Sequence, residues 1–182
     1  MRQPVSLALL PKVRRIYVIG APGSGKSFLA ERLSQTLKLP WHDLDGDDVD
    51  AMSNGDRSSF SQCLRQQNQW ICEGTVHGIG IDWVRAADLT VILTTPMPVR
   101  SFRVIRRAVW KKLGKHFPGQ PGSESWASLR YRLGLTWHYQ KRILSPFLEK
   151  LHDQHLSALH YDDNWTAYHA VLKMLNIDSQ EC

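Results

Sequence analysis

The chain has few cysteines and no uninterrupted apolar stretch approaching the length of a membrane span. Its three cysteines, Cys63, Cys72 and Cys182, show no C-x-x-C spacing and leave one over if paired. That argues against a disulfide framework or a cysteine-held metal and favours a reducing cytoplasm. An apolar patch at residues 5–10 is bracketed by prolines and followed by no small-residue cleavage pattern. Residues 1–11 therefore read as a loose leader before the first strand, not a signal peptide. Internal repeats, low-complexity tracts and recognised nucleic-acid modules are also absent from the sequence. What is present is an ordinary globular mixture, 42% hydrophobic and 22% charged over 182 residues. That length suits one domain, residues 1–182, with a sizeable core. The net charge of +6 suits phosphate ligands or nucleic acid, and where it lies matters more than its sum.

The most informative segment is Gly20-Ala21-Pro22-Gly23-Ser24-Gly25-Lys26-Ser27, a G-x-x-x-x-G-K-S phosphate loop. Residues 15–19 lead in as a buried-strand run, and residues 28–37, starting at Phe28, lead out as a helix. Glycines let successive backbone N–H groups point at phosphate oxygens, and the helix N-terminus adds partial positive charge. Lys26 then reaches the β- and γ-phosphates, and the Ser27 hydroxyl completes a Mg²⁺ shell. ATP and Mg²⁺ are thus the expected cofactors.

Four further strands are expected at residues 41–44, 69–72, 89–94 and 155–160. Helices are expected at 59–69, 98–113, 125–152 (kinked near Pro146) and 165–175. Strands separated by helices mean parallel crossover units with helices on both faces. The expected fold is a three-layer α/β/α P-loop NTPase fold, with a five-stranded parallel sheet in order 2-3-1-4-5. The core is placed at residues 14–97 and 153–178, and a helical lid at about 98–150. Ligands in such sheets bind beyond the strand C-termini, where Gly20, Asp45, Glu73 and Thr94 all fall.

The order of motifs resembles the small adenylate-kinase-like P-loop kinases, and most closely the bacterial group labelled "DNA topology modulation" proteins. The resemblance rests on residues 16–27, on Pro40-Trp41-His42-Asp43-Leu44-Asp45, on Trp70-Ile71-Cys72-Glu73-Gly74 and on Arg85-Ala86-Ala87-Asp88 through Pro96. Arg103-Val104-Ile105-Arg106-Arg107 matches the family's lid pattern. Two departures stand out. Thr94-Thr95 occupies the place of a strand-end aspartate, and Thr75-Val76-His77 replaces the Phe-Pro-Arg of adenylate kinases.

Phosphoryl transfer asks a protein mainly for positioning and charge neutralisation. Asp43 and Asp45, two apart at a strand end, share a face if the strand persists. The pair resembles the Asp-x-Asp of shikimate-type kinases. Asp45 is the candidate acceptor-orienting residue or base, and Asp43, Glu73 and Ser27 are the candidate magnesium residues. Asp45, Asp47, Asp48 and Asp50 also suit turns and helix caps. His42 and His77 lie close enough in sequence to touch an acceptor, and Arg57 belongs to its expected pocket. Arg100, Arg103, Arg107 and Lys111 fall on one helical stripe, with Phe102, Val109 and Leu113 pointing elsewhere. Arg103 and Arg107 are the favoured catalytic cations with Lys26, and Arg130 and Arg132 are further lid cations. Pro118 to Gly122 has the glycine content of a moving lid loop. Trp126 or Trp137 is placed to meet a substrate ring.

The leading functional reading is an ATP-dependent small-molecule kinase, nucleotide-kinase-like by resemblance, acting on a nucleotide or a hydroxyl metabolite. It would act as a monomer or homodimer. The alternative is a nucleic-acid-associated ATP-binding protein or regulator whose basic helix contacts phosphate backbone, with Arg106 and Lys112 facing away from the lid stripe.

Overall fold

The computed structural model describes residues 13–46, 49, 51–75, 80–113 and 126–177. Five strands carry the apolar runs of the sequence: β1 (Arg15–Gly20), β2 (Trp41–Asp43), β3 (Trp70–Gly74), β4 (Leu89–Leu93) and β5 (Leu159–Tyr161). All pair in parallel, in the order β2-β3-β1-β4-β5. The strand order is the expected one. Its reason lies in β1, β3 and β4, whose side chains are almost all buried, as befits strands covered on both faces.

Alternation along β1 divides the core in two. Ile16 and Val18 face α1 (Lys26–Leu37) and the last helix, packing with Leu29, Leu33, Val171 and Leu172. Tyr17 and Ile19 face the other way, against Trp70, Trp83 and Leu144. Each fully buried large side chain contributes about 1.5–3 kcal/mol, so both faces of the sheet are strongly held. At the foot of the sheet, Asp88 accepts from the Arg14 and Arg15 amides at 3.0 and 2.9 Å and from Arg15 Nη2 at 2.7 Å.

Six more helices and one π-helical segment complete the layers among the described residues. α2 (Asn54–Arg65) starts and ends earlier than the expected 59–69. Ser53 caps it by accepting from the Asp56 amide, and the polar run Gln66-Gln67-Asn68-Gln69 forms the turn into β3. α3 (Gly80–Ala86) lies over Tyr17 through Trp83. α4 (Met97–Lys112) buries Val104 and Ala108 while leaving Phe102, Ile105, Val109 and Leu113 exposed on its outer side.

α5 (Trp126–Tyr139) packs on α4 and passes into a π-helical segment, Gln140–Leu144, before α6 (Ser145–Asp153). The irregularity expected at Pro146 is this π segment instead. Pro146 falls in the first turn of α6, directly after that π segment. α7 (Asn164–Met174) is capped by Asp163, which accepts from the Trp165 and Thr166 amides, each at 2.9 Å. The fifth strand is shorter and later than expected, and residues 155–158 run outside it.

Candidate active site

A cavity of about 820 Å³ opens beyond the C-terminal ends of the central strands. Of the phosphate-loop residues, Pro22, Gly23, Gly25, Lys26, Ser27 and Phe28 line it. Gly20, Ala21 and Ser24 stand behind, as support: Ala21 and Ser24 are fully buried, and a Cβ on Gly20 would strike the Ser24 hydroxyl. Gly23 and Gly25 both take positive φ, 79° and 93°, which lets the chain curl round the space in front of α1.

Lys26 joins this loop to the strand-end carboxylates. Its Nζ lies 3.3 Å from Glu73 Oε2 and 3.6 Å from Asp45 Oδ2. Burial disfavours the ammonium, but Glu73, Asp45 and Asp43 together outweigh it and hold Lys26 well above its ordinary value. Glu73 is fully buried, and burial pushes its carboxyl up; the attraction of Lys26 works against that rise. The Lys26 ammonium and the Ser27 hydroxyl are the groups that favour its charged form.

Asp43 and Glu73 are register partners on neighbouring parallel strands. β2 ends at Asp43, so Asp45 is not carried by strand alternation. It is fixed by a turn and by Thr75. The Asp43 Oδ1 accepts from the Asp45 amide at 2.9 Å. Asp45 in turn accepts from the Thr75 amide at 2.6 Å and the Thr75 hydroxyl at 3.0 Å. Thr75 thus orients the carboxylate from a position 30 residues away.

The far half of the cavity is walled by Tyr17, Trp83, Val49, Arg57 and Ser61. Tyr17 and Trp83 stack with ring centroids 5.8 Å apart. The Tyr17 hydroxyl is held far above its ordinary range by burial, helped by the Asp45 charge, and stays neutral. None of Tyr17, Trp83, Ser61 or Thr75 was singled out by sequence pattern. The alternation that turns Tyr17 away from Val18 marks its face but not its place beside Asp45.

From the lid side come Arg103, Arg106, Arg107 and Lys111 of α4 and Tyr131, Arg132 and Leu135 of α5. Arg106 was expected to face away from the lid stripe. It lines the cavity while packing its guanidinium against Phe102 and Trp110. Arg100, expected on the stripe, is buried behind it against the Tyr139 ring, where desolvation lowers its basicity. Arg103 donates to the Gly23 and Ser24 carbonyls at 3.4 and 3.2 Å. Twelve of the 23 basic residues fall between residues 98 and 150, against two of the 17 acidic ones.

Other candidates lie elsewhere. His42 does not line the cavity, and burial lowers its basicity. Arg130 and Trp137 are exposed and also do not line it. His77, Asp47, Asp48, Asp50, the 118–122 loop and the side chains of Lys112 and Trp126 lie outside the described residues.

Among the described residues no group of three or more His, Cys, Asp or Glu side chains is arranged as a metal cage. The oxygen donors nearby are the Ser27 hydroxyl and the carboxylates of Asp43 and Glu73. That set fits magnesium, which keeps several of its waters and takes its other oxygens from phosphates. It does not fit zinc or a dedicated calcium site.

No family model matches the chain, and no curated protein matches it in sequence. Solved structures do match. A shikimate kinase from Bacteroides thetaiotaomicron superposes with a TM-score of 0.59 at 15% identity, over 91% of this chain and 99% of that one. A shikimate kinase from Acinetobacter baumannii, in complex with shikimate, gives 0.53 at 14% identity over 90% and 94%. An unliganded sugar kinase from Janibacter sp. HTCC2649 gives 0.50 at 17% identity over 91% and 95%. The architecture is therefore an α/β fold with a phosphate loop after its first strand. More narrowly, it is a fold that these shikimate and sugar kinases also have. No helix among the described residues is long and apolar enough to cross a membrane.

Proposed function

We propose that this protein is an ATP-dependent phosphotransferase that moves the γ-phosphate of ATP to a small anionic acceptor, a nucleotide or a hydroxyl metabolite. The observation that carries the reading is the Lys26 ammonium, held between Glu73 and Asp45 in one cavity with the phosphate loop. A loop that merely gripped a nucleotide would not need a second carboxylate, fixed by Thr75, on the wall of the same cavity.

In this reading the inward N–H groups of the phosphate loop and Lys26 bind the β- and γ-phosphates. Asp45 accepts a hydrogen bond from the acceptor hydroxyl and aims its oxygen at the γ-phosphorus. The new O–P bond forms as the bond to the β-phosphate oxygen breaks; ADP departs, and the hydroxyl proton passes to Asp45 and then to water. Because the transition state is loose, orientation matters more than early deprotonation. That suits a carboxylate already accepting two hydrogen bonds. Arg107 and Arg132, on the lid side, neutralise charge spreading over the transferred group. Magnesium, when bound with the nucleotide, supplies further neutralisation, with Ser27, Asp43 and Glu73 as the residues that would hold it.

Charge supports the anionic character of the acceptor. Arg57, Arg103, Arg106, Arg107, Lys111 and Arg132 line the cavity, and Lys26 already has Glu73 and Asp45. Five of these come from residues 98–150, which carry twelve basic against two acidic side chains, and that composition suits an anionic acceptor beside ATP. Arg57 is the cation in the acceptor half. The narrower adenylate-kinase-like kinship, and the resemblance to the "DNA topology modulation" group, rest on motif order alone. The nucleic-acid reading is weaker because Arg103, Arg107 and Lys111 turn inward to the cavity.

The test is turnover of ATP with Mg²⁺ across a panel of nucleotides, hydroxy acids and neutral sugars. At least one anionic acceptor is expected to be phosphorylated, and Lys26→Ala to abolish it. Turnover that persists in Lys26→Ala removes the phosphate-loop mechanism; turnover confined to neutral sugars removes the anionic acceptor.

A further inference from the structure

Where a strand-end aspartate was expected, the chain has Thr94-Thr95, and the two hydroxyls do different things. Thr94 donates at the strand end, to Asp162 Oδ1 at 2.8 Å. Thr95 is buried and donates instead to the Ser24 carbonyl of the phosphate loop, at 3.0 Å. The same carbonyl accepts from Arg103 at 3.2 Å, so both of its lone pairs are used by side chains. Two turns along α5, Thr136 shares its one hydroxyl hydrogen between the Arg132 carbonyl at 2.8 Å and the Pro22 carbonyl at 3.3 Å.

We infer that Thr95 is a positioning residue for nucleotide binding: it pins the Ser24 carbonyl outward so that the Gly25 N–H points into the cavity. The reason is the geometry of the peptide unit. In a planar trans peptide, the carbonyl of one residue and the N–H of the next point in opposite directions. Holding the Ser24 oxygen against Thr95 therefore turns the Gly25 N–H toward the cavity that Gly25 lines. Gly25, with φ of 93°, has the backbone freedom to rotate this unit if it is released. Without the hydroxyl, the buried oxygen keeps only the longer Arg103 bond, and rotation of the peptide costs less. A hydrogen-bonded carbonyl also polarises its own peptide, strengthening the N–H as a donor to phosphate.

The arrangement gives Arg103 a different duty from the one its spacing suggests. Its guanidinium, on the cavity wall, braces the loop carbonyls of Gly23 and Ser24, which leaves Arg107 and Arg132 for the transferred phosphate. It also gives the loop and the lid a shared contact, because Arg103 rides on α4 while Thr95 is fixed at the end of β4.

The inference rests on the nucleotide-binding reading above, so the experiment measures nucleotide binding without an acceptor. ADP with Mg²⁺ is titrated calorimetrically into wild type, Thr95→Val, Thr95→Ala, Thr95→Ser and Thr94→Val, with melting temperatures recorded for each. Both hydroxyl-free variants at residue 95 are expected to bind ADP about tenfold more weakly. Thr95→Ser is expected to recover to within about threefold, and Thr94→Val to stay within about twofold. Once an acceptor is known, KM for ATP should rise in Thr95→Val with kcat changed far less. Wild-type ADP affinity in folded Thr95→Val or Thr95→Ala overturns the inference, as does an equal loss in Thr94→Val. Absence of ADP binding by wild type overturns the nucleotide-site reading itself.

Discussion

Gly23 stands at the tightest point between the phosphate loop and the lid, and replacing it with alanine tests that junction quantitatively. A Cβ there would lie 2.5 Å from the backbone oxygen of Arg100 and 3.0 Å from Val104 Cγ2. Carbon–oxygen contacts settle near about 3.3 Å, so α4 and the loop must separate by roughly 0.8 Å. The oxygen is backbone in the first turn of a helix and cannot swing aside as a flexible side chain would. The φ of +79° adds about 1–2 kcal/mol for any residue with a Cβ. Separation also stretches the two Arg103 bonds to the Gly23 and Ser24 carbonyls, already at 3.4 and 3.2 Å, for about 1 kcal/mol more. The sum is about 3 kcal/mol. Taken by the fold, it lowers Tm by about 6–12 °C for a chain of this size. Taken by the loop, it weakens ADP binding roughly 100-fold. Gly134 is the matched control: it lies in the exposed interior of α5, and an added Cβ meets nothing within 4 Å. Gly134→Ala should stabilise by about 0.5–1 kcal/mol and raise Tm by about 2–3 °C. Thermal denaturation and ADP titration of both variants decide the matter. If Gly23→Ala stays within about 1 °C and twofold of wild type, the described contact between α4 and the loop is refuted.

Asp45→Asn keeps the size of the side chain but sets an amide against the Thr75 donors and removes a partner of Lys26. Steady-state kinetics should show kcat down about 100-fold or more, with ADP affinity held within about threefold; an unchanged kcat would place the acceptor elsewhere. Asp88→Asn concerns the foot of the sheet. Burial pushes the Asp88 carboxyl up, but hydrogen bonds from Arg15 and Arg14 more than offset that and leave it below its ordinary value of 3.8. A depressed carboxylate contributes stability above its unfolded value and loses it as pH falls through the folded one. Urea unfolding should therefore show Asp88→Asn destabilised by about 1 kcal/mol at pH 7, the gap narrowing as pH falls below the ordinary carboxylate value of 3.8. A gap that persisted there would mean the clamp does not depend on ionisation.

The placement of the phosphate-loop sequence between β1 and α1 was legible because it is local. The phosphate loop is a run of eight residues whose backbone geometry follows from its glycines, and the central strands announce themselves as apolar runs bounded by turns. The strand-end placement of Asp43 and Glu73 followed from the same pattern. The wall built by Thr75, Tyr17 and Trp83 was not legible, because its contacts join distant segments with no periodicity. Thr75 is meaningful only through Asp45, and Tyr17 and Trp83 have the same apolar signature as any core aromatic. Helical spacing grouped Arg100 with Arg103, yet burial against Tyr139 separated them. Spacing gives the angle of a side chain about its own helix and says nothing about what packs there.

The π-helical segment Gln140–Leu144 has a mechanical consequence. Its two ends are anchored in the core, since Tyr139 and Leu144 are both almost fully buried, five residues apart. In a regular α-helix that spacing points two side chains to well-separated faces, whereas the wider π turn brings them closer to one. The extra residue thus acts as a phase shift: it lets the downstream helix follow the curvature of the sheet while the upstream helix keeps Thr136 and Tyr139 turned toward α4 and the loop. Its ladder of i to i+5 bonds is also the part of this long rod least able to resist bending. A bend between α5 and α6 therefore has its fulcrum within the rod itself.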